Sequence, residues 1–108
     1  MAKFFIVQSR EPFTDNQANS DYELIHNLVL ARHEVKVLLI QNGVLPARRG
    51  GMARKFDMIC NAKLSLFADE FSLRQREIAL EDLKPGVLTA GVDTVISAML
   101  AGYKVIWH

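Results

Sequence analysis

The chain has 108 residues, half of them hydrophobic and 23% charged, which predicts one folded domain over residues 1–108 and excludes a disordered chain. Thirteen basic side chains stand against twelve acidic ones, and a formal net charge of +1 gives no field to gather nucleic acid or anionic lipid, so direct nucleic-acid binding is not expected. No apolar run reaches the roughly 20 residues that cross a bilayer, Met1-Ala2-Lys3-Phe4 does not open a signal peptide, and a lone cysteine suits a reducing compartment. The expected location is the cytoplasm, with no membrane attachment.

Lys3 to Gln8 (KFFIVQ) is a short aromatic and β-branched run that predicts a central strand, and Pro12, Thr14, Asp15, Asn16 and Asn19 predict a loop above its carboxyl end. Ser20-Asp21-Tyr22-Glu23 has the Ser-x-x-Glu spacing of a capping box, placing a helix start at or shortly before it. Leu24, Ile25, Leu28 and Val29 recur on one face of that helix. His33 to Ile40 alternates and then turns fully apolar, as a strand buried on both faces does, and Gln41-Asn42-Gly43 ends it.

Gly51 to Asn61 reads as a helix with Met52, Phe56, Ile59 and Cys60 on its apolar stripe and Asn61 as its carboxyl cap. Ala62 to Ala68 (AKLSLFA) predicts a third strand. The charge-rich stretch Leu73 to Leu83 has room for a short helix before Lys84-Pro85-Gly86 turns the chain into a brief strand at Val87 and Leu88. Thr89 to Ala101 predicts a helix with Val92, Val95, Ile96 and Met99 on one face and Gly102 as its stop, before a last strand from Tyr103 to Trp107. Strands alternating with helices in this rhythm define the α/β class: a three-layer α/β/α sandwich with a mostly parallel sheet of about five strands joined by right-handed crossovers.

Four stretches carry a family likeness. KFFIVQSREPFTDNQANSDYELIHNL resembles the opening strand, polar loop and long helix of the DsrE family of sulfur-relay proteins. LLIQNGVLPARRG is similar to the stretch after the second strand in the DsrH and TusB subunits, and KLSLFADEFSLRQREI to their third strand and the short helix after it. GVLTAGVDTVISAMLAGYKVIWH resembles the closing strand, helix and strand. The resemblance implies a part in cytoplasmic sulfur trafficking beside other sulfur-relay proteins. Active family members carry a persulfide on a cysteine just past the third strand, and they assemble as trimers or hexamers.

In this chain that place is held by Ala68, Asp69 and Glu70, with Asp69 the best match to the cysteine, and a carboxylate cannot carry sulfane sulfur. The resemblance therefore implies a non-carrier, structural or partner-binding subunit. Cys60, the alternative sulfur carrier, falls at a helix carboxyl end and at the opposite edge of the sheet, where partial negative charge disfavours a thiolate unless Lys55 or Lys63 compensates. On an apolar stripe a lone cysteine is most often a small core residue, so Cys60 is expected to be largely buried and inert.

His26, His33 and His108 are scattered without ligand-spaced partners, so no metal site is expected, and the glycines form no phosphate-cradling loop, so no cofactor is expected. Arg48, Arg49, Arg54 and Lys55 read as a solvated face before an anion site. A third reading, a small-molecule binding protein, rests on the carboxyl rim of the sheet, which gathers Thr14, Asn16, Gln41, Asn42, Asp69, Glu70 and Thr89; an Asp69–Glu70 acid–base pair there is the weaker option. Phe4, Phe5, Phe13, Phe56, Phe67, Phe71, Tyr103 and Trp107 are more aromatic bulk than short strands cover, which predicts a homo-oligomer, a trimer or hexamer by the family likeness.

Overall fold

A computed structural model describes residues 1–108. Five short segments rich in β-branched and aromatic residues pair as β1 Lys3–Gln8, β2 Glu34–Leu39, β3 Ser65–Asp69, β4 Val87–Ala90 and β5 Lys104–Trp107. All pairings are parallel, and the strand order is β4-β3-β2-β1-β5, so the first strand is central and the last lies at the edge beside it. The connections are α1 Gln17–Leu30, a 3₁₀ segment Gln41–Ala47 followed by α2 Arg54–Cys60, α3 Glu70–Gln75 with a 3₁₀ turn Leu80–Asp82, and α4 Asp93–Leu100. This is the three-layer parallel α/β sandwich that the sequence predicts. No helix is long and apolar enough to cross a membrane.

Successive strand residues point to opposite faces, and the register fixes which face each takes. Ile6, Val37, Leu39, Leu66 and Ala68 pack on one side against Ala18, Tyr22 and Ile25 of α1, Phe56 and Ile59 of α2, and Leu73 of α3. Phe5, Val7 and Leu38 point the other way and meet only Val95 and Ala98 of α4, with Phe67, Tyr103 and Val105 partly buried around them. The first layer holds most of the core; the second is thin.

Four local expectations are corrected. The Ser20–Glu23 capping box is not formed: α1 starts at Gln17, whose N–H is accepted by Asp15 Oδ1 at 2.9 Å, so Ser20 and Glu23 already lie inside the helix. Its inward face is Ala18, Tyr22 and Ile25 with Asp21, while Leu24 is exposed. Met52 precedes α2 and is exposed instead of joining its stripe. Thr89 and Ala90 belong to β4, where they pair with Ala68 and Asp69, and α4 turns Val95 and Ala98 inward while Val92, Ile96 and Met99 face solvent.

Tyr22 is fully buried with its ring edge-on to Phe56 at 5.5 Å between centroids, yet its hydroxyl has no hydrogen-bond partner. Burial, and after it the charges of Asp21, Glu11 and Cys60, push the phenol pKa upward, so the group stays neutral. An unpaired buried hydroxyl costs about 1–3 kcal/mol. Tyr22→Phe, which keeps the ring and removes the hydroxyl, is expected to stabilise the chain by about 1 kcal/mol in urea denaturation. A loss of stability would show that the hydroxyl is bonded in solution.

Candidate functional site at the carboxyl rim

Where β3 runs straight into α3, Asp69 is both the last strand residue and the helix N-cap. Its Oδ2 accepts the Ser72 backbone N–H at 3.0 Å and the Ser72 hydroxyl at 2.7 Å, the Asp-x-x-Ser pattern that satisfies a free helix donor. Ser72 Oγ in turn accepts the backbone N–H of Gln41 at 2.7 Å, so the cap also anchors the segment after β2. Asn42 Oδ1 takes two donors of the Arg76 guanidinium, at 3.0 and 2.9 Å, while a third donates to the Ser72 carbonyl at 3.2 Å. Asp69 and Ser72 are buried; Gln41 and Asn42 are exposed at the surface of the same network.

Asp69→Ala removes both bonds and leaves a buried N–H unpaired, so it is expected to cost about 2 kcal/mol, with Asp69→Asn costing less because one acceptor remains; thermal melts of the two variants give the comparison.

Beside this network a cleft of about 420 Å³ opens between α3 and β4, lined by Glu70, Leu73, Arg74, Ile78, Leu80 and Thr89 among others. The rim thus joins five of the seven residues expected there: Gln41, Asn42 and Asp69 in the hydrogen-bond network, Glu70 and Thr89 in the cleft. Thr14 and Asn16 stand apart in the loop after β1, where Thr14 donates to Glu11 and Asn16 accepts from Asn19 at 3.1 Å. The Asp69 carboxylate is bonded to Ser72 through Oδ2, while Glu70 is exposed.

Cys60 ends α2, the half-buried free thiol of the chain. It sits by the turn that enters β4, since a side chain added at Gly86 would meet its carbonyl oxygen at 3.6 Å. The thiol is pushed up to about 11, mainly by burial and then by the Asp57 carboxylate, with Lys84 opposing. The compensating cation is Lys84, not Lys55 or Lys63. Its ammonium is held by Asp57 Oδ1 at 2.6 Å and the Gly51 carbonyl at 2.8 Å. Native-state labelling of Cys60 with a thiol reagent is expected to be far slower than in denaturant at pH 7.5 and to accelerate as pH rises toward 11, because only the thiolate reacts. Fast stoichiometric labelling at neutral pH would contradict this.

Three of the four basic candidates have structural partners, and Arg54 is exposed. Arg48 Nε donates to the Leu45 carbonyl at 3.2 Å, Arg49 Nε to the Leu83 carbonyl at 3.1 Å, and Lys55 pairs with Glu23. No group of His, Cys, Asp and Glu gathers at metal-binding distance.

A second polar cluster at the β1–β5 end of the rim has no counterpart in the sequence reading. Gln8, fully buried, donates to Asp21 Oδ2 at 3.0 Å and to the Arg10 carbonyl at 3.3 Å, and its Oε1 lies 3.0 Å from His108 Nδ1. Arg10 and His108 each approach Asp21 Oδ1 at 3.7 Å. His108 therefore closes a network. The available signal was Asp21, an acidic residue on the inward face of α1.

A central parallel sheet, helices on both faces and a polar rim at the strand carboxyl ends define a small α/β protein of the DsrE-like fold. The family model of the DsrE/DsrF-like family matches residues 2–108, and the chain belongs to that family. Among solved structures it is similar to the YchN protein of E. coli, with a TM-score of 0.88 and 16% identity over 100% of both chains. It is also similar to MTH1491 of Methanobacterium thermoautotrophicum, a protein of unknown function, with a TM-score of 0.81 and 18% identity over 99% of this chain and 98% of that one. No curated protein matches the sequence.

Proposed function

We propose that this chain is a non-carrier subunit of a cytoplasmic sulfur relay, one that binds relay partners and does not itself transport sulfur. Membership of the DsrE/DsrF-like family supports the relay connection. The observation that carries the non-carrier role is Asp69: at the carboxyl end of β3, where the family likeness puts the persulfide cysteine, stands a buried carboxylate committed to capping α3. Carriage on Cys60 is the weaker reading, because a half-buried thiol pushed up to about 11 is mostly protonated at neutral pH.

The test is exposure of the native chain to polysulfide, followed by mass spectrometry. The expected result is no stoichiometric persulfide. A Cys60 persulfide that passes to an acceptor thiol, and is lost in Cys60→Ser, would overturn the proposal.

A second reading, small-molecule binding at the rim, is favoured by the cleft between α3 and β4. It predicts a saturable ligand whose NMR shifts centre on Glu70, Arg74 and Thr89.

The proposal extends to assembly: a homo-oligomer, trimer or hexamer, formed through the face of the sheet that α4 only partly covers. The apolar side chains Leu88, Val92, Ile96, Leu100 and Trp107 are exposed on or beside that face, which supports this reading.

A further inference from the structure

At the opposite end of the sheet from the rim lies a groove of about 860 Å³, within the size range of small-molecule sites. Its walls are the carboxyl end of α1 and the amino ends of β2 and β3, with Val29, Val35 and Leu64 as apolar lining and Arg32, His33 and Lys63 as polar lining.

Three non-glycine residues, Arg32, Gln41 and Glu77, have positive φ, and Arg32 is the one that lines this groove. The helix closes with Arg32 N–H to the Val29 carbonyl at 2.9 Å and His33 N–H to the Leu28 carbonyl at 3.1 Å, and this closure puts Arg32 at φ 66. Glycine is the residue that such a helix end ordinarily carries, because a side chain is strained at positive φ. Arg32 thus carries an exposed, charged side chain at the groove at some conformational cost. None of the chain's ion pairs uses Arg32 or Lys63. Glu34, the carboxylate of the lining, accepts the Tyr103 hydroxyl, and Lys36 lies 5.1 Å from the centre of the Tyr103 ring. His33 Nδ1 accepts the Ala2 N–H at 3.0 Å, which leaves a proton on Nε2 as a further donor.

We propose that this groove binds a small organic phosphate, with Arg32 and Lys63 holding the phosphate and Val29, Val35 and Leu64 contacting its apolar body. Two unpaired cations match a dianionic phosphate monoester better than a single carboxylate, and a guanidinium offers the paired donors that phosphate oxygens accept.

The test is titration of 1-naphthyl phosphate into the full chain, followed by backbone NMR. Saturable shifts at Val29, Leu64 and Lys63 are expected, with 1-naphthol and inorganic phosphate each binding more weakly. Arg32→Gly separates fold from function: glycine relieves the strained φ, so thermal stability is expected to hold or rise, while affinity falls about tenfold or more. Lys63→Gln is expected to weaken binding in the same direction. The proposal is overturned if 1-naphthyl phosphate gives no saturable shifts, if they centre on α4, or if 1-naphthol or inorganic phosphate binds as tightly. It is overturned equally if Arg32→Gly lowers stability and leaves affinity unchanged.

Discussion

Gly43→Ala is expected to destabilise the chain by about 3 kcal/mol or more, lowering the melting temperature by about 15 °C. The cause is a backbone contact with no room to relax. A Cβ on Gly43 would fall 2.1 Å from the Gln8 carbonyl oxygen and 3.0 Å from its carbon, both main-chain atoms. That carbonyl already accepts the Ile40 N–H at 3.0 Å, and Gly43 N–H donates to Ile40 O at 2.8 Å, so the 3₁₀ segment is seated on the end of the central strand. Moving it away would also disturb Gln41, whose N–H is held by Ser72. Gly50→Ala is the control: Gly50 has φ +81 but nothing within 4 Å of an added Cβ, so its cost is conformational only, about 1 kcal/mol. Thermal melts that rank the two variants in the reverse order would refute the argument.

For the proposed assembly, light scattering at micromolar concentration is expected to give three or six times the 12.2 kDa chain mass. By the strand register, Leu88 and Trp107 share a sheet face with Phe5, Val7 and Leu38. An eight-residue helix, α4, is the cover that face receives, and it leaves Ile96 62% and Leu100 85% exposed. Ile96→Asp is expected to dissociate the oligomer, because a carboxylate desolvated in an apolar interface costs several kcal/mol. In the isolated chain the same substitution lies on the surface and is expected to change stability by no more than about 0.5 kcal/mol. A native mass of 12.2 kDa that does not change on concentration would reject the homo-oligomer.

The strands were the legible part of the fold, because their apolar runs are short and bounded by turn residues. KFFIVQ defines β1 to the residue. Helix starts were less legible, because each depends on which local donor finds an acceptor. Ser20–Glu23 has the right spacing for a cap, but Asp15 bonds Gln17 first and α1 begins earlier. The short helix sought between Leu73 and Leu83 begins at Glu70, where Asp69 and Ser72 cap it. The stripe on α4 was visible, but its apolar arc is wider than the contact with the sheet, so Val95 and Ala98 at one side of the arc turned inward and Ile96 at the other outward. At the rim, Gln41, Asn42 and Asp69 could be grouped from topology alone. The network of Gln8 with Asp21 and His108 joins residues 13 and 100 positions apart, and no local pattern foretells it.

The pairing of β1 with β5 gives synthesis on the ribosome a particular order of risk. β1 is the first strand made, and β2 completes one of its edges within about 30 residues, as the register Lys3–Glu34 requires. Its other edge waits for Lys104–Trp107. Until β5 is made, the centre of the future sheet presents an open row of backbone donors and acceptors, flanked by Phe5 and Val7, which is the kind of edge that recruits a neighbouring nascent chain. Truncations that stop before β5 should therefore gain β structure intermolecularly, as aggregates, well before they lose their helices.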